Sequence, residues 1–316
     1  MFELIFLGTS ASAPSILRGL PAQVVLAGEY RFLVDCGEGT QRQLLKSGIG
    51  FKRLNRILLT HGHLDHILGL AGLLSTFMRW ESIDALEIWG SRHTLDRVQD
   101  LIYGVVLRGQ RPPMPIHLVD LQPGIAFETK KFTIETFPVI HRGPGNFGFI
   151  FAERPRRPFL AEQAEVLGIP AGPERSRLSA GESITLADGR VIHPDDVLGE
   201  IMPGARLVLI GDIAKTDNLP ESIHGADALV MEATYGSEEA EFAENFGHMT
   251  AAGAATYAQE ASVKTLILTH LSRRNRERDI LDEARAIFPN TFVARDFDRF
   301  SIVRGQPVTR LEPAGS

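Results

Sequence analysis

Cysteine is almost missing from this chain: Cys36 is the single one in 316 residues. No internal disulfide can form, so a reducing cytoplasm is the expected compartment. Aromatic residues are sparse, with two tryptophans and four tyrosines. Trp80 and Trp89 read as core or interface residues rather than as base-stacking surfaces. A long apolar run is also absent at the start. MFELIFLGTSASAP has a short apolar stretch with no basic residues before it, so neither a signal peptide nor a membrane span is expected there. Positive charge is not in excess, and the net charge of −6 excludes a protein that coats nucleic acid nonspecifically, though not one with a local basic face. No internal repeat or low-complexity tract is found.

What is present is an ordinary globular composition, 44% hydrophobic and 23% charged, able to bury a large core. The length suits one large α/β domain or two. FELIFLG, QVVLAGE and YRFLVDCG read as strands, the last two joined by a turn at Gly28. GTQRQLLKSGI reads as a helix ended by Gly48, RILLT as a buried strand, and DHILGLAGLLSTF as one helix. Strand and helix signals alternate again from about residue 206, through RLVLIGD, ADALVMEAT, GHMTAAGAATYAQEA and TLILTH. Two β-rich halves with helices between them predict layers of helix, sheet, sheet, helix. Residues 153–203 differ: prolines cluster in ERPRRP and GIPAGPE, and ITLADGRVI signals a hairpin turning at Asp188 and Gly189, so the segment reads as an inserted arm.

The densest chemistry is THGHLDH, where His61, His63, Asp65 and His66 fall within six positions at a strand-to-helix junction. Imidazole nitrogen and carboxylate oxygen are the donors zinc prefers. Three more donor residues each follow an apolar strand: His141 after FTIETFPVI, Asp212 after RLVLIG and His270 after TLILT. Ligands gather beyond strand ends in layered α/β folds, so these residues converge. Seven donors exceed what one tetrahedral metal needs, which predicts two metals sharing a carboxylate. The same donors accept manganese or iron in place of zinc. His93, His117, His193 and His224 stand alone and read as surface or core residues. Cys36, without a base beside it in VDCGEG, reads as a buried structural thiol.

The run His61–His66 is the His-x-His-x-Asp-His hallmark of the metallo-β-lactamase superfamily, which the chain therefore resembles. FLGTSASAPS, VDCGEGTQRQL, LTHGHLDHILGLAGLLST, GIPAGP with LADGRVI, GD at 211–212, MEAT at 231–234, GHMTA at 247–251 and LILTHLSRRN at 266–275 are similar to one branch, the ribonuclease Z family. They occur in that family's order and cover nearly the whole chain.

The resemblance implies a single four-layer αββα metallo-β-lactamase sandwich over residues 1–316, with 153–203 as a flexible arm, an exosite that grips tRNA. It implies a zinc-dependent phosphodiesterase that removes the 3′ trailer of precursor tRNA and leaves a 3′-hydroxyl. His61, His63 and His141 would hold one zinc, Asp65, His66 and His270 the other, and Asp212 would bridge them. Asp65 and His248, with Glu232 behind His248, would be the catalytic groups, His248 assisting the leaving oxygen. A cytoplasmic homodimer is implied as well. Other readings that fit the same metals are a paralogue acting on a small phosphodiester, sulfate ester or lactone, and a non-catalytic RNA-binding relative.

The family's loop Pro-x-Lys-x-Arg-Asn stands here as Pro14-Ser15-Ile16-Leu17-Arg18-Gly19, which keeps the proline and the arginine. Met231 and Met249 replace a histidine and a serine of the family's pattern. Across 153–203 six arginines face nine acidic residues, with no lysine, for a net of −3. Phosphate contacts need cations, so Arg18 and the clustered Arg154, Arg156, Arg157, Arg175 and Arg177 are the candidate tRNA contacts.

Overall fold

The structure is a computed structural model and describes residues 1–80 and 83–311. It divides into two compact units, one formed by Met1–Ala152 and the chain from Ala205 onward, the other by Glu153–Gly204.

Two sheets make up the larger unit. The first has eight strands in the order Thr309–Leu311, Arg299–Ile302, Phe2–Gly8, Ala22–Ala27, Tyr30–Val34, Arg56–Leu58, Leu86–Gly90 and Ile116–Asp120. The second has seven, ordered Thr291–Val293, Leu266–Thr269, Ala228–Glu232, Arg206–Leu209, Phe147–Glu153, Phe132–Pro138 and Gly124–Glu128. Each sheet has an all-parallel block: Tyr30–Val34 to Ile116–Asp120 in the first, Thr291–Val293 to Arg206–Leu209 in the second. Parallel strands end together, so each block offers a row of loops along one edge.

Phenylalanine fills the space between the sheets. Phe32 meets Phe151 edge to face at 5.6 Å, and Phe2, Phe6, Phe149 and Phe300 join them in one buried cluster with Leu207 and Val230. The outer face of the first sheet packs Ile5, Leu33 and Ile57 against Leu73, Phe77 and Val98 of its helices. That of the second packs Val208, Leu229 and Leu268 against Ala254, Ala258 and Ile280. Strands covered on both faces carry no polar alternation, which is why LVL and LIL read as plain apolar runs.

One predicted element differs. The single helix expected over DHILGLAGLLSTF is two, Leu64–Ile67 and Gly69–Trp80. Gly69 donates its N–H to the Cys36 carbonyl at 2.8 Å, and a Cβ at Gly69 would lie 2.0 Å from the Gly37 oxygen. The chain breaks where it docks on that loop, and the docking fixes the short helix that carries Asp65 and His66.

The unit Glu153–Gly204 contains helices Ala161–Val166 and Pro173–Ser179 and a hairpin of Ile184–Thr185 with Val191–Ile192, turning through Gly189 at φ +85°. Ala164, Ile169, Leu178, Ile184, Ile192 and Val197 form a core of its own. Among the described residues no helix is long and apolar enough to cross a membrane.

Candidate metal centre

All seven donors expected from the sequence lie at the carboxyl edges of the two sheets, and the structure brings them together. His61, His63, His141 and Asp212 place one donor atom each within 4.8 Å of one another, and so do Asp65, His66 and His270. Asp212 faces both groups. Its Oδ2 lies 3.6 Å from His61 Nε2 and 3.7 Å from His141 Nε2, while its Oδ1 lies 3.4 Å from His66 Nε2 and 3.3 Å from His270 Nε2. His66 Nε2, His270 Nε2 and Asp212 Oδ1 are buried and have no hydrogen-bond partner. Orphaned buried polar atoms are rare, and a divalent cation would satisfy all three, so these residues fit a metal.

The far sides of His61, His66, His141, His248 and His270 are each held by a second group, and the two sheets do this in similar ways. From the first sheet, Asp35 accepts from His66 Nδ1 at 2.8 Å and from the Thr60 hydroxyl, which lies 3.0 Å from His61 Nδ1. From the second, Glu232 accepts from His248 Nδ1 at 3.0 Å and from the Thr234 hydroxyl, which lies 2.9 Å from His270 Nδ1. Glu232 also accepts the Ile213 N–H at 2.7 Å, which fixes the backbone beside Asp212. His141 donates from Nδ1 to the Gly247 carbonyl at 2.6 Å. Such partners set the tautomer, leaving the other ring nitrogen to face the centre. Asp35 and His270 take left-handed φ angles of 58° and 57°. That conformation is uncommon outside glycine and concentrates at functional sites.

At His61, His63, Asp65 and Asp212 the electrostatics favour metal-binding protonation states. Burial, with the neighbouring His66, holds His61 well below the usual imidazole range, and burial with His141 brings His63 to about 4. Burial works against the Asp212 carboxylate, but His270, His66 and His61 outweigh it and keep it ionised. Asp65 is held down in the same way by His270 and His66. His66 goes the other way: burial opposes its charge, but Asp212 and Asp35 raise it. For His248, burial is outweighed by the Glu232 hydrogen bond and charge, which bring it up to about 9.

The predicted tRNA-contact arginines are placed differently. Arg18 points inward, donating to Glu277 at 2.7 Å and to the Ala294 carbonyl at 2.7 Å. It pins the 10–20 loop, whose Ser12 N–H reaches Asp65 Oδ2 at 3.0 Å. In the Glu153–Gly204 unit, Arg157 pairs with Asp195, Arg177 with Glu182, and Arg175 donates to the Ile169 carbonyl. Arg156 and Arg157 line an open pocket of that unit with His193, and Arg154 also has a partner.

Other residues reach the centre as well. His93, expected from the sequence to be a surface or core residue, lines a cleft with His61, His63, Arg97, Arg142 and Asn146. A second cleft is lined by Ser12, His63, Asp65, Arg142, Asp212, Tyr235, Phe246 and His248. Asp35 ends the apolar strand of YRFLVD, the same signal that singled out Asp212.

Residues 30–161 match the family described as "Beta-lactamase superfamily domain". A "Ribonuclease Z" of Bradyrhizobium sp. (strain ORS 278) is 49% identical over 96% of this chain and 100% of its own length. The chain belongs to the ribonuclease Z family. A ribonuclease Z of Archaeoglobus fulgidus is 38% identical over 94% of this chain and 96% of its own. The crystal structure of human tRNase Z, short form, superposes with a TM-score of 0.68 at 25% identity, covering 95% of this chain and 99% of that one. YhfI of Bacillus subtilis, a metallo-β-lactamase fold protein, reaches the same TM-score at 18% identity, covering 95% and 100%, a likeness of fold alone. The ribonuclease Z family and the metallo-β-lactamase fold expected from the sequence are thus both found.

Proposed function

We propose that this protein is a metal-dependent endoribonuclease that hydrolyses one phosphodiester of precursor tRNA, releasing the 3′ trailer and leaving a 3′-hydroxyl on the tRNA. Family membership supports the substrate. The chemistry rests on one observation, the Asp212 carboxylate divided between two histidine groups with His248 beside it.

The donor set suits two divalent cations, zinc first, with manganese or iron also accepted. His61, His63 and His141 would hold one, Asp65, His66 and His270 the other, and Asp212 both. Bound there, such ions lower the pKa of water and stabilise charge on phosphoryl oxygens. The side chains supply the rest. Asp65, whose side chain is 15% exposed, faces the cleft and would accept a proton from the attacking water. His248, cationic at neutral pH, would give a proton to the departing 3′-oxygen, with Glu232 fixing its orientation. In this reading the Glu153–Gly204 arm grips tRNA away from the chemistry, and the protein works as a cytoplasmic homodimer.

The test incubates the metal-loaded protein with a precursor tRNA and, separately, with bis(p-nitrophenyl) phosphate. Wild type should release a trailer from the tRNA, and Asp212→Ala should lose both metal content and cleavage. Hydrolysis of the small ester with no processing of tRNA would refute the substrate and leave the metal chemistry standing.

A further inference from the structure

Beside His248 the surface carries aromatic rings that the hydrolytic chemistry does not use. Tyr235 lies 6.2 Å from the His248 ring and 6.4 Å from Phe242, the planes of Tyr235 and Phe242 inclined by 23°. Phe242 and Phe246, one helical turn apart, lie 6.3 Å from each other with planes inclined by 3°. Both are open to solvent, 43% and 44% exposed. Single exposed apolar residues are common and need no explanation. Three rings in sequence, running out from a catalytic cleft that Tyr235 and Phe246 line, form a continuous patch.

Two arginines border it. The Arg142 guanidinium stands 6.0 Å from the Phe246 ring and that of Arg274 5.1 Å from Phe242. Arg274 also pairs with Glu239 at 3.3 Å, yet 59% of its side chain stays exposed. The helix Ala240–Phe246 carries two carboxylates, Glu241 and Glu244. At about 100° per residue they lie roughly 100° or more round the helix from Phe242, off the aromatic side.

We infer that Tyr235, Phe242 and Phe246, with Arg142 and Arg274, form a platform on which unpaired bases flanking the scissile bond stack. The inference rests on the reading of the protein as an RNA-cleaving enzyme, and it adds a contact to base faces that the metal centre cannot make. Ring faces and guanidinium planes both accept stacked bases whatever their sequence, and the arginine charges meet the adjoining phosphates. The patch is continuous with the cleft, so a strand placed for cleavage has its neighbouring nucleotides within reach of it.

The experiment measures kcat/KM on precursor tRNAs carrying a base or an abasic residue at each of the two nucleotides on either side of the cleavage site. Wild type should lose about tenfold when a stacked base is removed. Phe242→Ala/Phe246→Ala should cleave the intact precursor about tenfold more slowly and show no further loss on the abasic one. Phe242→Tyr/Phe246→Tyr, which keeps both rings, should keep the wild-type discrimination. Full abasic sensitivity in the alanine variant would overturn the platform, as would equal losses on both substrates or a wild type indifferent to missing bases. A wild type that cleaves no precursor tRNA would remove the functional reading, and the platform with it.

Discussion

Glu232 is buried and serves three neighbours at once: His248, Thr234 and the backbone beside Asp212. Its effect on His248 has a pH signature. Burial disfavours the imidazolium, and Glu232 more than restores it, so His248 is protonated up to about pH 9. If its proton goes to the leaving oxygen, the alkaline limb of the activity falls as pH rises through the His248 pKa. Glu232→Gln removes the anion, lowers the His248 pKa and moves the alkaline fall to lower pH, which a kcat–pH profile of the metal-loaded enzyme would reveal. His248→Ala should keep its metal by elemental analysis and lose about 10² to 10⁴ in kcat, the usual worth of a placed proton donor. Asp35 does for His66 and His61 what Glu232 does for His248 and His270. Removing such a partner weakens metal binding by about 10- to 100-fold, and Asp35→Ala should show this in a chelator competition.

At this scale the donors were legible in the sequence because four of them crowd into six positions and the other three follow apolar strands. Their partners were harder to see. Thr60 and Thr234 are ordinary threonines until the fold sets them between an imidazole and a carboxylate. The inward turn of Arg18 depends on Glu277, 259 positions away, which no local pattern announces.

Among the elements, the break at Gly69 has the clearest energetic meaning. Neighbouring backbone fills the position a methyl group would take, since a Cβ there would lie 2.0 Å from the Gly37 oxygen. Gly69→Ala must push the helix Gly69–Trp80 off the Cys36–Gly37 loop or distort it, at a cost of about 3 kcal/mol, the upper part of the range for overpacking. A lower urea midpoint would check this, and a midpoint equal to wild type would show that the contact yields freely. The periodic apolar positions of the segment predict helix on both sides of residue 69, and helical periodicity says nothing about a carbonyl waiting outside it. Strands were more legible: runs such as LVL and LIL have few alternatives once both sheet faces are covered.

For the whole molecule, the layer order followed from two β-rich halves with helices between them. How the halves face each other did not, because the phenylalanine cluster joins residues as distant as Phe2, Phe151 and Phe300. Cations that bind the folded centre and not the unfolded chain stabilise the fold by about 4 kcal/mol at a thousand times their dissociation constant. Removing metal with a chelator should lower the melting temperature, and restoring zinc should return it; an unchanged melting curve would mean that the centre contributes nothing to folding.

His61, His63, Asp65 and His66 hang from the first sheet, and His141, Asp212 and His270 from the second. An ion gripped from both sides is a clasp between the two leaves of the sandwich. An ion so held would have to be released by the ligands of one leaf before it could leave, so the exchange rate of a labelled divalent metal would report how firmly the weaker leaf grips it.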